Sequence, residues 1–161
     1  MKIFSIRPAQ QKDIKALIPL QRKMVKYHHG LDPATWKTGK EDEGIWKSML
    51  TGFLKDTKNY SFLVLECNGK AVGFATAEIR ATSSAYKDKK LGYIASIFVD
   101  TSARRQGLAS MAVEHFMEWF AKNDVTTVTL NVEIKNSLAV TAWHKLGFEE
   151  WRLTLRKSIA D

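Results

Sequence analysis

The stretch that most constrains the fold is residues 94–120, where a strand pattern, a short basic turn and a helix pattern follow one another. Its first six residues are mostly apolar and rich in β-branched and aromatic side chains, as in a buried strand. A polar turn follows. Apolar residues then recur every three or four positions, which predicts one buried helix face: Leu108, Met111, Ala112, Phe116, Trp119 and Phe120. The stretch therefore predicts a strand that leads through a turn into a helix.

The turn between these two elements is suited to binding an anion. The first amides of a helix have no internal partner, and the helix dipole places partial positive charge on them. Small residues at Gly107, Ala109 and Ser110 allow an anion close to that backbone, and Arg104 and Arg105 add full charges. The pattern predicts a phosphate-binding cradle without a Walker lysine. A glycine near a helix start is also typical of a simple turn, so the six residues alone leave both interpretations open.

Residues 104–109 resemble the Arg/Gln-x-x-Gly-x-Gly/Ala signature of the GNAT N-acetyltransferases, with Arg104 in the first place, Gly107 in the fourth and Ala109 in the sixth. A second block resembles the family's Asn-x-x-Ala…Tyr-x-Lys-x-Gly-Phe pattern, through Asn136, Ala139, Trp143, Lys145, Gly147 and Phe148. The two blocks follow in the family's order and at about its spacing. The resemblance extends over nearly the whole chain.

The order of the elements predicts a single domain over residues 1–161 of the α/β (α+β) class. We expect a mixed, mostly antiparallel twisted sheet of six or seven strands, with helices on both faces. Strands are predicted at 2–7, 60–67, 70–82, 91–99, 125–134 and 148–156, and helices at 11–29, 40–55, 107–122 and 136–146. Asn68-Gly69 predicts a two-residue hairpin turn. Pro19 predicts a kink or a restart in the first helix.

The net charge of +8 favours an anionic partner. The basic residues are scattered, apart from a dense cluster at Lys87, Lys89 and Lys90. A phosphate-rich cofactor explains part of the excess, and no recognition motif accompanies the charge, so no nucleic acid is expected as a partner.

Other features exclude several classes of protein. The only cysteine, Cys67, rules out an internal disulfide or a cysteine-based zinc cluster, and the four histidines have no metal-ligand spacing. No metal is expected. No apolar run approaches 18 residues and no signal peptide is evident, so we expect a soluble cytoplasmic protein that does not bind a membrane.

The resemblance implies transfer of an acetyl group from acetyl-CoA, the expected cosubstrate, to a primary amine by direct attack. In this interpretation the pyrophosphate lies on the amides that begin the helix, and the pantetheine arm pairs with the preceding strand as an added strand would. The amide of Phe98 or Val99 polarises the thioester carbonyl, and Asn136 is either a plain helix cap or also a partner of the arm. The expected cofactor-binding residues are Ile97, Phe98, Val99, Arg104, Arg105, Gln106, Gly107, Leu108, Ala109, Ser110, Asn136 and Trp143.

The proton route departs from the family pattern. Many members have a tyrosine acid where this chain has Trp143, and an indole N–H is not a useful acid. Others have a glutamate on the strand before the cradle, where this chain has Tyr93, or on the next strand at the place of Asn131. Glu133 shares the face of Asn131. The catalytic candidates are therefore Tyr93 and Glu133, with Glu78 or a chain of waters as alternatives.

Two further questions stay open at the level of sequence. The acceptor is expected to be a small-molecule or peptide amine. The first two helices and their connection are expected to border its binding site, through His28, His29, Trp36 and Trp46. Core packing explains Trp46 equally well. The missing tyrosine and glutamate leave an alternative function, a non-catalytic GNAT-fold module that binds acetyl-CoA as a sensor or partner domain. A homodimer is also compatible with the sequence.

Overall fold

The computed structural model describes residues 1–38 and 43–159. The chain divides into two compact units, Met1–Asn131 and Val132–Asp161. Each unit is described by itself below, and the single domain over residues 1–161 stays a prediction.

The first unit contains a five-stranded sheet in the order β1-β2-β3-β4-β5. All neighbours are antiparallel except β4 and β5, which run parallel. The strands are β1 (Phe4–Pro8), β2 (Tyr60–Cys67), β3 (Lys70–Ala81), β4 (Lys90–Val99) and β5 (Val128–Leu130). The β2–β3 turn has φ of 50° at Asn68 and 73° at Gly69, the positive pair that a tight hairpin of this kind requires. The predicted mixed, mostly antiparallel sheet is confirmed, but the described residues form five strands rather than six or seven.

The described residues form four helices. The first unit has α1 (Ile14–Leu31), α2 (Glu43–Lys55) and α3 (Leu108–Lys122), and the second unit has α4 (Ser137–Lys145). Short 3-10 turns precede α1 at Gln11–Asp13 and follow β4 at Thr101–Ala103. Helix α1 continues through Pro19, which is exposed, so the predicted restart does not occur. The predicted start of the second helix, at residues 40–42, lies outside the described residues.

The sheet separates two layers of helix. Helices α1 and α2 pack on one face, against a buried row formed by Val64, Phe74 and Phe98. Helix α3 packs on the other face, where a Cβ added at Gly92 would lie 2.8 Å from the ring of Phe120. Because neighbouring residues of a strand point to opposite faces, each strand contributes to both layers. The prediction of helices on both faces is confirmed for the first unit.

The predicted strand at 148–156 is wrong, because those residues form no regular secondary structure. Trp151, Leu153 and Leu155 alternate with polar residues as in a strand, yet their side chains are 54%, 79% and 83% exposed. Alternation of apolar and polar residues gives a strand one apolar face. A strand also needs a neighbouring strand with which it forms backbone hydrogen bonds. For the same reason the fifth strand keeps three of the ten residues predicted for it.

Gly73 shows how closely β3 and β4 approach each other, and it supports a prediction about stability. A Cβ at this position would lie 2.3 Å from the carbonyl oxygen of Phe98, which is backbone and cannot rotate away. We expect Gly73→Ala to lower the free energy of unfolding by about 1–3 kcal/mol, as overpacking does. Chemical denaturation measures the change. As a control, Gly52→Ala adds a Cβ in α2 with no atom within 4 Å and should be neutral or stabilising. Equal stability of the two variants would contradict this geometry.

Candidate functional site

The turn that precedes α3 forms a concave set of backbone amides. Arg105 has φ of 61° and Gly107 has φ of 79°, so two residues near the end of the turn are left-handed. Gly107 begins the helix, and Met111 is the first residue to donate back, to the Gly107 carbonyl at 3.0 Å. The three preceding helix amides therefore have no intrahelical acceptor. Alternating left-handed residues and helix amides without an intrahelical acceptor are the backbone features of anion-binding nests, and an anion site at this turn stays a prediction.

Asp100 links the cradle to helix α1. Its carboxylate accepts hydrogen bonds from the Ser102 amide at 3.1 Å and the Ser102 hydroxyl at 2.8 Å, which closes the Thr101–Ala103 turn. It also forms an ion pair with Lys23 of α1. The Lys23 ammonium and the Ser102 donors lower the pKa of Asp100 from 3.8 to about 2. The carboxylate is thus ionised near neutral pH and holds the start of the turn against α1.

Strand β4 has an open edge next to the cradle. Its parallel pairing with β5 covers Gly92 to Ile94 and ends there, whereas its pairing with β3 continues to Val99. The Asp100 amide donates to the Val72 carbonyl of β3 at 2.8 Å. Because backbone groups alternate in direction along a strand, those of Phe98 also point to β3, and those of Ile97 and Val99 point to the open edge. The backbone groups of Ile97 and Val99 are therefore oriented toward the place of an added strand.

A β-bulge lies where the edge opens. Ser96 pairs with Thr76 and Ile94 pairs with Ala77, so Ala95 is an extra residue in β4. Ala95 is exposed. Bulges bend a strand and redirect side chains, and they are frequent beside active sites. Here the bulge occurs one residue after β5 stops pairing with β4, so the two strands separate at this point.

Tyr93 lies just before the bulge, in a cluster with two charged residues of β3. Its neighbour Gly92 points to Phe120 of α3, so Tyr93 points to the opposite face, on which α1 and α2 pack. Glu78 is its cross-strand partner. The Arg80 guanidinium lies 3.4 Å from the centroid of the Tyr93 ring and donates from Nε to Glu78 Oε1 at 2.6 Å. A phenol, a carboxylate and a cation thus meet on the face where an acceptor was predicted.

The residues predicted to border the acceptor divide into two groups. His28 stacks on Trp36, with ring centroids 4.6 Å apart, and His29 Nδ1 lies 2.6 Å from the Trp36 carbonyl oxygen. These three form an aromatic cluster at the end of α1. Trp46 is 9% exposed and lies in the core of the first unit, as the packing interpretation predicted.

The second unit contains the remaining predicted residues. Asn136 begins α4 and accepts from the Ala139 amide at 3.3 Å, which is the predicted helix cap. Gly147 has φ of 86° at the end of that helix. Trp143 packs edge-on against Phe148, with ring centroids 5.2 Å apart. Glu133 is half-buried. The roles of Asn136, Trp143 and Glu133 toward a ligand stay predictions.

Within residues 1–38 and 43–159, no group of three or more histidine, cysteine, aspartate or glutamate side chains is arranged to hold a metal ion. No helix in the same part of the chain is long and apolar enough to cross a membrane.

Three residues of this region were not predicted from the sequence. Arg80 was not singled out, although the spacing Glu78-x-Arg80 puts both charges on one strand face opposite Tyr93. Tyr27 and Lys23 of α1 also lie at the cradle, where the Arg104 guanidinium is 5.4 Å from the Tyr27 ring centroid. No local pattern indicates the contacts of Tyr27 and Lys23, because each joins residues far apart in the chain.

Comparisons with known proteins identify the family of this chain. Residues 22–148 match the model of the acetyltransferase (GNAT) family. An uncharacterized N-acetyltransferase of Methanocaldococcus jannaschii is 28% identical over 150 residues, which are 93% of this chain and 62% of that protein. The chain thus spans 62% of the length of that relative.

A second relative and a solved structure extend the comparison. The ribosomal protein bS18 alanine N-acetyltransferase of Salmonella typhimurium is 25% identical over 126 residues, 78% of each chain. The solved structure of an aminoglycoside N-acetyltransferase in complex with CoA has a TM-score of 0.75 and 18% identity, and the match covers 99% of this chain and 97% of that chain. At that identity the likeness concerns the fold.

Proposed function

Because the chain belongs to the acetyltransferase (GNAT) family, we propose that it is an N-acetyltransferase that moves an acetyl group from acetyl-CoA to a primary amine. The observation that carries the proposal is the cradle at Arg104–Ser110 beside an open strand edge. The cradle offers backbone amides to phosphates. The open strand edge offers backbone hydrogen bonds to an arm that contains amides. Coenzyme A carries both groups in one molecule.

The cofactor assignment follows from the order of these two features. We assign the pyrophosphate to the amides from Gln106 to Ser110, with Arg104 and Arg105 supplying charge. The arm then runs along the backbone of Val99 and Ile97, toward the amino end of β4. Of the two amides considered for polarising the thioester carbonyl, that of Val99 faces the open edge and that of Phe98 faces β3, so the geometry favours Val99.

The direction of the arm supports a role for Tyr93. An arm that starts at the cradle and follows β4 backward brings its sulfur toward the bulge at Ala95, and Tyr93 is two residues beyond. The side chains of Tyr93 and Glu78 reach the α1–α2 face, from which an acceptor amine would approach. Both reactants then meet where β4 and β5 separate.

The proposed reaction is a direct attack. The neutral amine forms a bond to the thioester carbonyl carbon, the C–S bond breaks, and the thiolate of CoA leaves. The amine nitrogen loses one proton and the thiolate gains one. The Tyr93 hydroxyl donates to the leaving thiolate, and Glu78, Glu133 or water accepts from the amine. Binding both substrates in this geometry contributes by proximity, and the edge amide contributes by stabilising charge on the carbonyl oxygen.

The acceptor is proposed as a small-molecule or peptide amine. The two characterised proteins compared above are named for acetylation of a ribosomal protein alanine and of an aminoglycoside, so their names span both classes. On this chain the end of α1 offers the aromatic cluster of His28 and Trp36, and the α1–α2 face of the sheet offers the charges of Glu78 and Arg80. A cationic amine matches the Glu78 carboxylate.

Acetyl-CoA should raise the melting temperature of the protein. A ligand that binds only the native state stabilises it by mass action, by about 2.7 kcal/mol at a concentration of 100 times Kd. Differential scanning fluorimetry with acetyl-CoA measures the shift, with AMP and acetate at equal concentration as controls for weak binding of fragments. The absence of any shift at millimolar acetyl-CoA would contradict the proposal.

Turnover is tested by the release of free CoA thiol in the presence of a panel of amines. The panel should include polyamines, aminoglycosides, amino acid amides and a peptide with a free amino terminus. Release that depends on one class of amine supports the enzyme. Tight binding of acetyl-CoA without release for any amine would favour the non-catalytic binding module.

A further inference from the structure

The Arg104 side chain occupies a backbone group that the proposed coenzyme arm needs. Its Nε donates to the Val99 carbonyl oxygen at 3.0 Å. That carbonyl points away from β3, because the next residue, Asp100, donates its amide to β3 and the direction alternates along the strand. Val99 O is therefore the acceptor nearest the cradle on the open edge of β4, and in this structure it is already hydrogen-bonded.

This contact has a clear physical reason in the strand edge itself. An unpaired strand edge exposes carbonyls that attract other strands, and a charged side chain is a common way to protect such an edge. A guanidinium donates strong, charge-assisted hydrogen bonds. Arg104 is also half-buried, with its guanidinium 5.4 Å from the ring of Tyr27, so the side chain is held in this place from two sides.

A phosphate group competes with this arrangement. Arg104 begins the turn whose later amides form the cradle, so an anion seated there lies near its guanidinium. A bidentate bond to a phosphate is stronger than a bond to one neutral carbonyl, since both partners are charged. Binding of the pyrophosphate is therefore expected to draw Arg104 from Val99 O and to free that oxygen for the arm.

We propose that Arg104 determines carrier specificity: it holds the Val99 carbonyl closed to the thioester arm until the carrier's own phosphates release it. The inference rests on the proposed function. It assigns to Arg104 a positioning role through Val99, in addition to its charge. A thioester that has the arm but lacks phosphates must displace Arg104 without help and binds poorly for that reason.

The test compares two carriers that share one arm. Acetyl-CoA and S-acetyl-pantetheine differ in the nucleotide and its phosphates, and calorimetry gives Kd for each. With Arg104→Ala, acetyl-CoA should bind about tenfold more weakly, equal to 1.4 kcal/mol, because a phosphate partner is lost. S-acetyl-pantetheine should bind several-fold more tightly, because Val99 O is free. Opposite changes for the two carriers are the expected result. A side chain that merely stabilises the fold would weaken both.

Arg105→Ala is the matched control. It removes a neighbouring cation that is exposed, and Arg105 Nε makes no contact with Val99 O in the described residues. This variant should bind acetyl-CoA more weakly than the wild type, and it should bind S-acetyl-pantetheine no more tightly than the wild type. If Arg104→Ala fails to fold by circular dichroism, Arg104→Met replaces it. The methionine keeps the apolar stem but has no donor, so it should still bind S-acetyl-pantetheine more tightly than the wild type.

The outcomes separate this inference from the function on which it rests. Wild-type protein that binds no acetyl-CoA contradicts the proposed function. Wild-type protein that binds acetyl-CoA, together with Arg104 variants that gain nothing for S-acetyl-pantetheine, overturns the role of Arg104 and leaves the function standing.

Discussion

Tyr93→Phe is expected to lower kcat about 10²-fold or more while the affinity for acetyl-CoA changes little, as for the loss of acid–base assistance. The substitution removes one hydroxyl and keeps the ring. The ring keeps its place because the Arg80 guanidinium lies 3.4 Å from its centroid and the strand pairing on both sides of β4 is unchanged. A loss confined to kcat would identify the hydroxyl as the group that donates to the thiolate or relays the proton from the amine.

Tyr60→Phe is the matched control for this experiment. Tyr60 pairs with Glu78 from β2, as Tyr93 does from β4, so Glu78 has a tyrosine on each side. Strands lie about 4.8 Å apart, so Tyr60 is about 10 Å from β4 and its open edge. Its ring packs on Phe53 of α2 instead. We expect kcat within about twofold of the wild type for Tyr60→Phe, since it is outside reach for direct proton transfer.

The pH profile completes the argument. Full kcat for Tyr93→Phe at every pH would show that Tyr93 has no proton role, and Glu78→Gln and Glu133→Gln would then be measured in the same assay. A loss in Glu78→Gln alone would identify the cross-strand carboxylate as the base. Because Arg80 donates to Glu78, the variant also frees the guanidinium, and Arg80→Gln measured in parallel separates that effect.

Local rules account for most of the fold that the sequence predicted. The hairpin at Asn68-Gly69 joins two strands predicted at 60–67 and 70–82 and observed at Tyr60–Cys67 and Lys70–Ala81. Helix α3, predicted at 107–122, is Leu108–Lys122. Turn chemistry and periodicity fix such elements within a few residues of their position, so a single sequence is enough to locate them.

The elements that failed depend on distant partners. Residues 148–156 have the alternation of a strand, but pairing decides whether a strand forms, and the pattern contains no information about pairing. The three residues of β5 show the same limit. Strict alternation of side chains along β4 also predicts the wrong face for Tyr93. Without a bulge, Tyr93 would lie on the same face of the sheet as Ile97 and Val99. The extra residue at Ala95 moves it to the face of Phe98, where Glu78 and Arg80 lie.

The turn of the proposed cradle could be located from the sequence, but its backbone conformation and its side-chain contacts could not. Small residues and arginines ahead of an apolar helix pattern indicate an anion site, because the physics of helix ends is general. The left-handed conformation of Arg105, a residue that rarely adopts it, is imposed by the turn as a whole. The hydrogen bond from Arg104 to Val99 likewise depends on which edge of β4 is left open.

Gly107→Glu is expected to weaken acetyl-CoA binding about 10²-fold, equal to about 2.7 kcal/mol. Two effects contribute. Gly107 has φ of 79°, a conformation that strains any residue with a Cβ by about 1–3 kcal/mol. The turn of the free variant relaxes out of this conformation, and binding must restore it. The carboxylate also lies beside the amides proposed for the pyrophosphate and repels it. The fold should survive, since a Cβ at this position meets no atom within 4 Å.

Gly107→Gln separates the two effects, because glutamine has the shape of glutamate without its charge. We expect the affinity of Gly107→Gln for acetyl-CoA to fall about tenfold through strain. The affinity of Gly107→Glu should fall about tenfold further through repulsion. Salt screens the second part only, so calorimetry at about 0.05 M and about 0.5 M salt should show the gap between Glu and Gln narrowing while the gap between Gln and wild type stays constant. Equal affinity of the Glu and Gln variants at low salt would mean that the phosphates lie away from Gly107, and the cradle would then be a simple turn.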